Sequence, residues 1–260
     1  MKIETKVHKF IIDYEGQQIN ALAFIPEGEI PSPKALAVFS HGYSSHKGSL
    51  LNWPIRLAEE GMPSVIFDLP GHYLGGYSEA LSFESFKLNS PNLFVAAFEK
   101  LKSLSNTQPT QVVLGGHSLG ASFALMASKL PELKDLKQTL VCVGLGQLPV
   151  GAKHLFTSAF YKSTLSIRSQ LVSKELHPDK VFPWINEMKK DFKISGKRIH
   201  FITGADDLVV GEGGSERMIE NLKAQGNVVS LDLPPKLAHH QPELAASFIK
   251  KFLKKEGFFS

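Results

Sequence analysis

From Ala35 onward, short β-branched runs alternate with longer stretches of helical period, and this alternation restricts the fold more than any other feature of the chain. ALAVFS (Ala35–Ser40) precedes a helical segment from Leu50 to Glu60, SVIFD (Ser64–Asp68) one from Phe83 to Ser105, and QVVLGG (Gln111–Gly116) one from Leu119 to Leu130. The pattern resumes with TLVCVGLG, RIHFITG and NVVSLDL. A helix beginning near Gly214 or Ser215 separates the last two, and another from Glu243 to Lys254 closes the chain. Such repetition predicts parallel strands joined by crossover helices. Before it, Glu4–Tyr14 and Gln18–Ile25 read as strands around a Glu15-Gly16 turn, a hairpin that adds an antiparallel edge. The expected class is therefore α/β, with about eight mostly parallel strands and helices on both faces.

Between TLVCVGLG and RIHFITG the segment Gln147 to Lys197 is far longer than an ordinary connection and should carry its own helices. A chain of 260 residues lies near the upper limit of one hydrophobic core. The expected organisation is one domain, with residues 1–146 and 198–260 forming the core and 147–197 an insertion.

Gly116-His117-Ser118-Leu119-Gly120 stands where a strand runs directly into a helix. A G-x-S-x-G match arises by chance in roughly one chain in ten of this length, so the pentapeptide alone says little. Its position says more. A tight strand-to-helix turn needs glycines on both sides so that backbone can pack closely around a strained serine. The helix start also aims N–H groups and positive dipole at the place where an oxyanion would form. A phosphate loop would end in Gly-Lys-Ser/Thr, which is absent.

Composition narrows the function classes. A net charge of +4, without basic stretches interleaved with aromatics, gives no nucleic-acid groove. No apolar run is long enough for a membrane span, and MKIETKVHKF lacks a signal-peptide pattern. With a single cysteine, Cys142, in an apolar run, a reducing cytoplasm is the expected location. Asp206, Asp207, His239 and His240 are metal-ligand residue types, but no metal-binding spacing occurs, so neither metal nor cofactor is expected.

From ALAVFSHG to the last helix the chain resembles the α/β-hydrolase superfamily, and among its members the small, soluble, capped esterases and acyl hydrolases. The resemblance implies a serine hydrolase with Ser118 as nucleophile. His41-Gly42-Tyr43 matches the family's HG-x element, which implies an oxyanion hole formed by the backbone N–H groups of Tyr43 and Leu119, with His41 structural. Gly204-Ala205-Asp206-Asp207-Leu208-Val209 resembles the G-x-x-D-x-x-V turn and implies Asp207 as the acid, Asp206 being the fallback. The base should follow the last strand. Ala238-His239 matches the family's small-residue-before-histidine pattern, which leaves His240 as the alternative. Asp68-Leu69-Pro70-Gly71-His72 resembles the D-x-P-G-H segment of the active-site rim, with a structural His72.

The same resemblance makes 147–197 a cap over the nucleophile. Phe156, Phe160, Tyr161, Leu165, Phe182 and Trp184 could line an acyl site there or could simply pack the cap. Lys153 to Lys197 holds nine Lys or Arg against four Asp or Glu. That surplus would steer anionic substrates, or would merely solvate the surface. The expected partner is a small acyl substrate, either neutral or anionic. Ester, thioester, lactone and aminopeptidase chemistry share this triad, and an acyltransferase, perhydrolase or ligand receptor on the same scaffold remains open.

Overall fold

The structure is a computed structural model that describes residues 3–28, 34–149 and 159–259; for residues 159–161 the backbone alone is described. Eight strands form one sheet: β1 (Glu4–Tyr14), β2 (Gln17–Glu27), β3 (Ala35–Ser40), β4 (Ser64–Phe67), β5 (Gln111–His117), β6 (Lys137–Val143), β7 (Arg198–Ile202) and β8 (Val228–Asp232). Their spatial order is β1-β2-β4-β3-β5-β6-β7-β8. β1 pairs antiparallel with β2, β2 pairs antiparallel with β4, and every later pairing is parallel. Glu15 and Gly16 both take positive φ, 50° and 76°, which suits the central pair of a tight hairpin turn whose twist matches its strands.

The middle of each central strand is apolar because both faces are covered. In β3, Leu36 and Val38 face one core while Ala37 and Phe39 face the other. β6 repeats the split, with Leu140 and Cys142 on one side and Val141 and Val143 on the other. The first face packs against α3 (Asn92–Ser105), α4 (Leu119–Ala127) and α7 (Gly214–Ala224). The second packs against α1 (Asn52–Ala58) and α8 (Ala246–Lys255), where Trp53 lies edge-on to Phe39 and donates to the Pro242 carbonyl at 2.8 Å.

The helix expected over Phe83 to Ser105 is two helices, α2 (Phe83–Asn89) and α3, divided at Ser90-Pro91. Ser90 and Pro91 both keep helical dihedrals, but Pro91 has no N–H to continue the ladder and its ring crowds the preceding turn, so one helix ends and another starts. The expected segment from Leu50 is likewise a 3-10 turn followed by α1, and the last helix begins as a 3-10 turn over Pro242–Ala245.

Within 147–197 lie α5 (Ala159–Gln170) and α6 (Pro178–Met188). This segment is stitched to the loop after β4: Ser173 N–H donates to Gly71 O at 2.9 Å, and Tyr73 N–H to Leu171 O at 3.0 Å. No helix among the described residues is long and apolar enough to cross a membrane.

Candidate active site

Ser118 sits at the turn from β5 into α4, with φ 50° and ψ −109°, a backbone conformation that an L-residue reaches only under strain. Its N–H donates to Val143 O at 2.8 Å, which holds the turn against β6. The neighbouring glycines are required by contact. A Cβ at Gly120 would lie 2.2 Å from Ser40 O, and one at Gly116 2.5 Å from the same oxygen. In open space Gly120→Ala would stabilise a helix by about 1 kcal/mol. Here the obstacle is backbone, and we expect a loss of about 3 kcal/mol, the upper end of ordinary overpacking. Urea denaturation checks this, and an unchanged midpoint would show that the turn is loose.

The loops after β7 and β8 bring Asp207 and His239 to Ser118. Asp207 is buried; its Oδ1 accepts the N–H groups of Val209 and Val210 at 2.9 and 3.0 Å, and its Oδ2 lies 2.8 Å from His239 Nδ1. Those contacts direct a protonated Nδ1 at the carboxylate and leave His239 Nε2 facing Ser118 Oγ at 3.2 Å. Asp206, the fallback acid, is exposed, and its Oδ1 accepts from Leu237 N–H at 2.8 Å, joining the two loops. His240 is also exposed and stands at the cavity rim.

Tyr43 follows β3 beside this chain of contacts, and Leu119 is the first residue of α4, so its N–H lies in the helix turn that lacks intrahelical acceptors. The Tyr43 hydroxyl donates to Leu176 O at 2.7 Å, tying the β3 loop to the 147–197 segment. His41 is wholly buried: Leu69 N–H donates to its Nε2 at 2.9 Å, and its Nδ1 lies 2.8 Å from Gly42 O. Burial pushes its pKa down to about 3, and does the same for His72, whose ring lies 5.2 Å from that of His41.

These two histidines make stability pH-dependent. An unfolded histidine takes up a proton near pH 6.5, whereas the folded pair does so only near pH 3. Their stabilising contribution is therefore complete above pH 6.5 and lost as pH falls toward 3, at up to about 1.4 kcal/mol per pH unit for each. These two rings alone should make the stabilities at pH 7 and pH 5 differ by roughly 4 kcal/mol in chemical denaturation, and the buried His117, shifted the same way, adds to that difference. Equal stabilities at the two pH values would mean that the rings are not held neutral.

Above Ser118 lies a cavity of about 510 Å³, lined by Tyr43, His239, Phe182, Ile185, Arg168 and Lys189 among others. Of the cap aromatics expected there, Phe182 is present. Trp184 is not: it packs against Phe83, Phe86 and Phe123 at ring distances of 5.7, 6.3 and 5.9 Å, because the helical turn of α6 rotates it away from Phe182 toward the body. Leu165 packs on the larger core. Phe156 lies outside the described residues, as do the side chains of Phe160 and Tyr161.

Sequence reasoning did not single out Arg168, Lys189 or His117. The basic surplus of residues 153–197 was the available signal for the first two. His117 is buried inside the elbow motif itself, its ring centroid 4.7 Å from that of His239; burial, and secondarily the charge of His239, holds its pKa well below the ordinary range. Among the described residues, no three His, Cys, Asp or Glu side chains are grouped to hold a metal ion.

A family model described as "Alpha/beta hydrolase family" matches residues 37–210. Among solved structures, a soluble variant of monoglyceride lipase from Saccharomyces cerevisiae aligns with TM-score 0.65 and 14% identity, covering 100% of this chain and 98% of that one. Est1E from Butyrivibrio proteoclasticus gives 0.59 and 16%, covering 95% and 98%. The 2-hydroxy-6-oxo-6-phenylhexa-2,4-dienoate hydrolase from a Rhodococcus strain gives 0.63 and 14%, covering 98% and 100%. At such identities the likeness is one of fold. A search of curated proteins finds no match.

Proposed function

Because this chain belongs to the alpha/beta hydrolase family, we propose that it is a serine hydrolase that cleaves a carboxylic ester, or a related acyl bond, through an acyl-enzyme on Ser118. The observation that carries this reading is the continuous contact chain Asp207 Oδ2, His239, Ser118 Oγ, at 2.8 and 3.2 Å, opening into a cavity large enough for a small acyl ester.

In the proposed reaction Ser118 Oγ forms a bond to the acyl carbon as its proton passes to His239 Nε2. Asp207 keeps the other imidazole proton on Nδ1 and stabilises the resulting imidazolium. The carbonyl oxygen becomes an oxyanion, which the N–H groups of Tyr43 and Leu119 would receive; one such donor contributes about 10²- to 10³-fold to turnover. Collapse breaks the ester C–O bond, and the departing alkoxide takes the proton from Nε2. Water then attacks the acyl-enzyme with His239 again as base, releasing the carboxylic acid and restoring Ser118 Oγ–H. A contact of 3.2 Å before substrate arrives is ordinary, since such bonds tighten in the reacting complex.

We propose further that 147–197 acts as the cap of this site within a single domain, a reading supported by the cavity that Phe182 and Ile185 help enclose. The buried free thiol Cys142 fits a reducing compartment, and the cytoplasm is the location we propose. The test is labelling by a neutral fluorophosphonate together with turnover of p-nitrophenyl esters of graded acyl length. Folded protein that neither labels nor turns over any ester would favour a ligand receptor on this scaffold.

A further inference from the structure

Resting on that hydrolase reading, we propose that the natural substrate carries an anionic oxyacid group, a carboxylate or a phosphate, and that Arg168 and Lys189 recognise it inside the cavity. Both side chains line the cavity that contains Ser118 and His239, so their charge acts on the bound substrate and not only on its approach. Arg168 is directed by two hydroxyls: Nη1 donates to Ser44 Oγ at 3.0 Å and Nε to Thr164 Oγ1 at 3.3 Å. That places the guanidinium next to Ser44, on the side of the cavity formed by the loop after β3.

Lys189 differs from its neighbours in the cap. Lys190 pairs with Glu187 at 2.6 Å, Lys193 with Asp191 at 3.6 Å, and Lys180 with Glu175 at 3.3 Å, all across exposed surface. Lys189 has no such ion pair among the described residues. The acid that attracts it is Asp207, whose oxygens are already engaged by His239 and by the Val209 and Val210 N–H groups. Lys189 is partly buried, and desolvation lowers its pKa to about 8, so keeping this ammonium charged costs stability. A bound anion would offset that cost.

The remaining lining agrees. Asp206 is the sole carboxylate among the described lining residues, and one of its oxygens is held by Leu237 N–H. The rest is apolar or neutral polar apart from the histidines, which suits a short acyl chain leading from Ser118 to a charged end. In a partly enclosed cavity a charge pair is screened less than on the open surface, so two cations discriminate strongly.

The experiment compares kcat/KM for p-nitrophenyl hexanoate with that for mono-p-nitrophenyl adipate and for the matching phosphonate-ended ester, all equal in acyl length. We expect at least one anionic ester to be favoured by about 10- to 100-fold at low salt, the span of one or two charge-assisted hydrogen bonds. Arg168→Gln and Lys189→Gln should each bring that ratio down by about tenfold. The ratio cancels any loss of folded enzyme. Lys190→Gln removes the same charge from the surface beside Lys189 and should leave the ratio intact. Preference for the carboxylate or for the phosphonate identifies the group, and either supports the proposal. A native ratio at or below one overturns it, as does an equal fall with Lys190→Gln, which would reveal diffuse steering. Absence of turnover of all three esters, with Ser118 unlabelled, overturns the hydrolase reading itself.

Discussion

Ser118→Ala is expected to lower ester turnover by about 10⁴- to 10⁶-fold and to abolish fluorophosphonate labelling, while the urea midpoint stays within error of the native value. The magnitude follows from the proposed mechanism, in which Ser118 is the nucleophile of a triad acting as a unit: what remains is binding plus oxyanion stabilisation of attack by water. The fold should not notice, because alanine keeps the Cβ that the turn already accommodates and the backbone bond from residue 118 to Val143 O persists. Ser118→Gly separates strain from chemistry. It should be equally inactive but more stable by about 1 kcal/mol, since glycine adopts φ 50° without penalty. Retention of substantial activity by Ser118→Ala would remove Ser118 from the mechanism.

Asp207→Asn should cost about 10⁴-fold in kcat with little change in KM. The argument concerns a proton's position more than a charge. Asparagine can still accept from Val209 and Val210 through its carbonyl oxygen, so the loop after β7 stays in place. Its amide nitrogen would then face His239 Nδ1 as a donor, and the ring answers by carrying its proton on Nε2. In that tautomer His239 presents a donor to Ser118 and cannot accept the hydroxyl proton. Pre-steady-state kinetics with p-nitrophenyl acetate checks this: acylation itself should slow. A variant that acylates normally and slows only in hydrolysis would contradict the role assigned to Asp207.

How much of this could be read from sequence depends on how local each constraint is. The sheet was legible because the central strands are buried on both faces, so β3, β5 and β6 each carry a continuous apolar stretch, Ala35–Phe39, Val112–Leu114 and Leu140–Val143. The turn at Ser118 was legible because the glycines that it demands adjoin it. The placement of Asp207 and His239 at Ser118 rests on two loops that follow adjacent parallel strands, β7 and β8, so both emerge at the same edge of the sheet. Other features escaped, three of them for identifiable reasons. Pro91 breaks a helix whose hydrophobic pattern runs on across it. Trp184 looked like pocket lining because it is aromatic, yet its direction is set by how α6 rests on Phe83, Phe86 and Phe123, distant in sequence. Lys189 looked like one more surface lysine. Only the rotation of the chain end after α6 distinguishes it from Lys190, and that rotation is a tertiary property.

Tyr43 is one residue with two attachments: its backbone belongs to the loop beside Ser118, and its hydroxyl holds Leu176 in the segment above. Any displacement of that segment therefore strains the loop. If 147–197 is the cap proposed above, an oversized acyl group that forced it outward would be penalised at the moment negative charge develops on the carbonyl, and not when it enters. Selection by size in such an arrangement would be exercised on the turnover number, with bulky esters occupying the site as slow substrates and effective competitors.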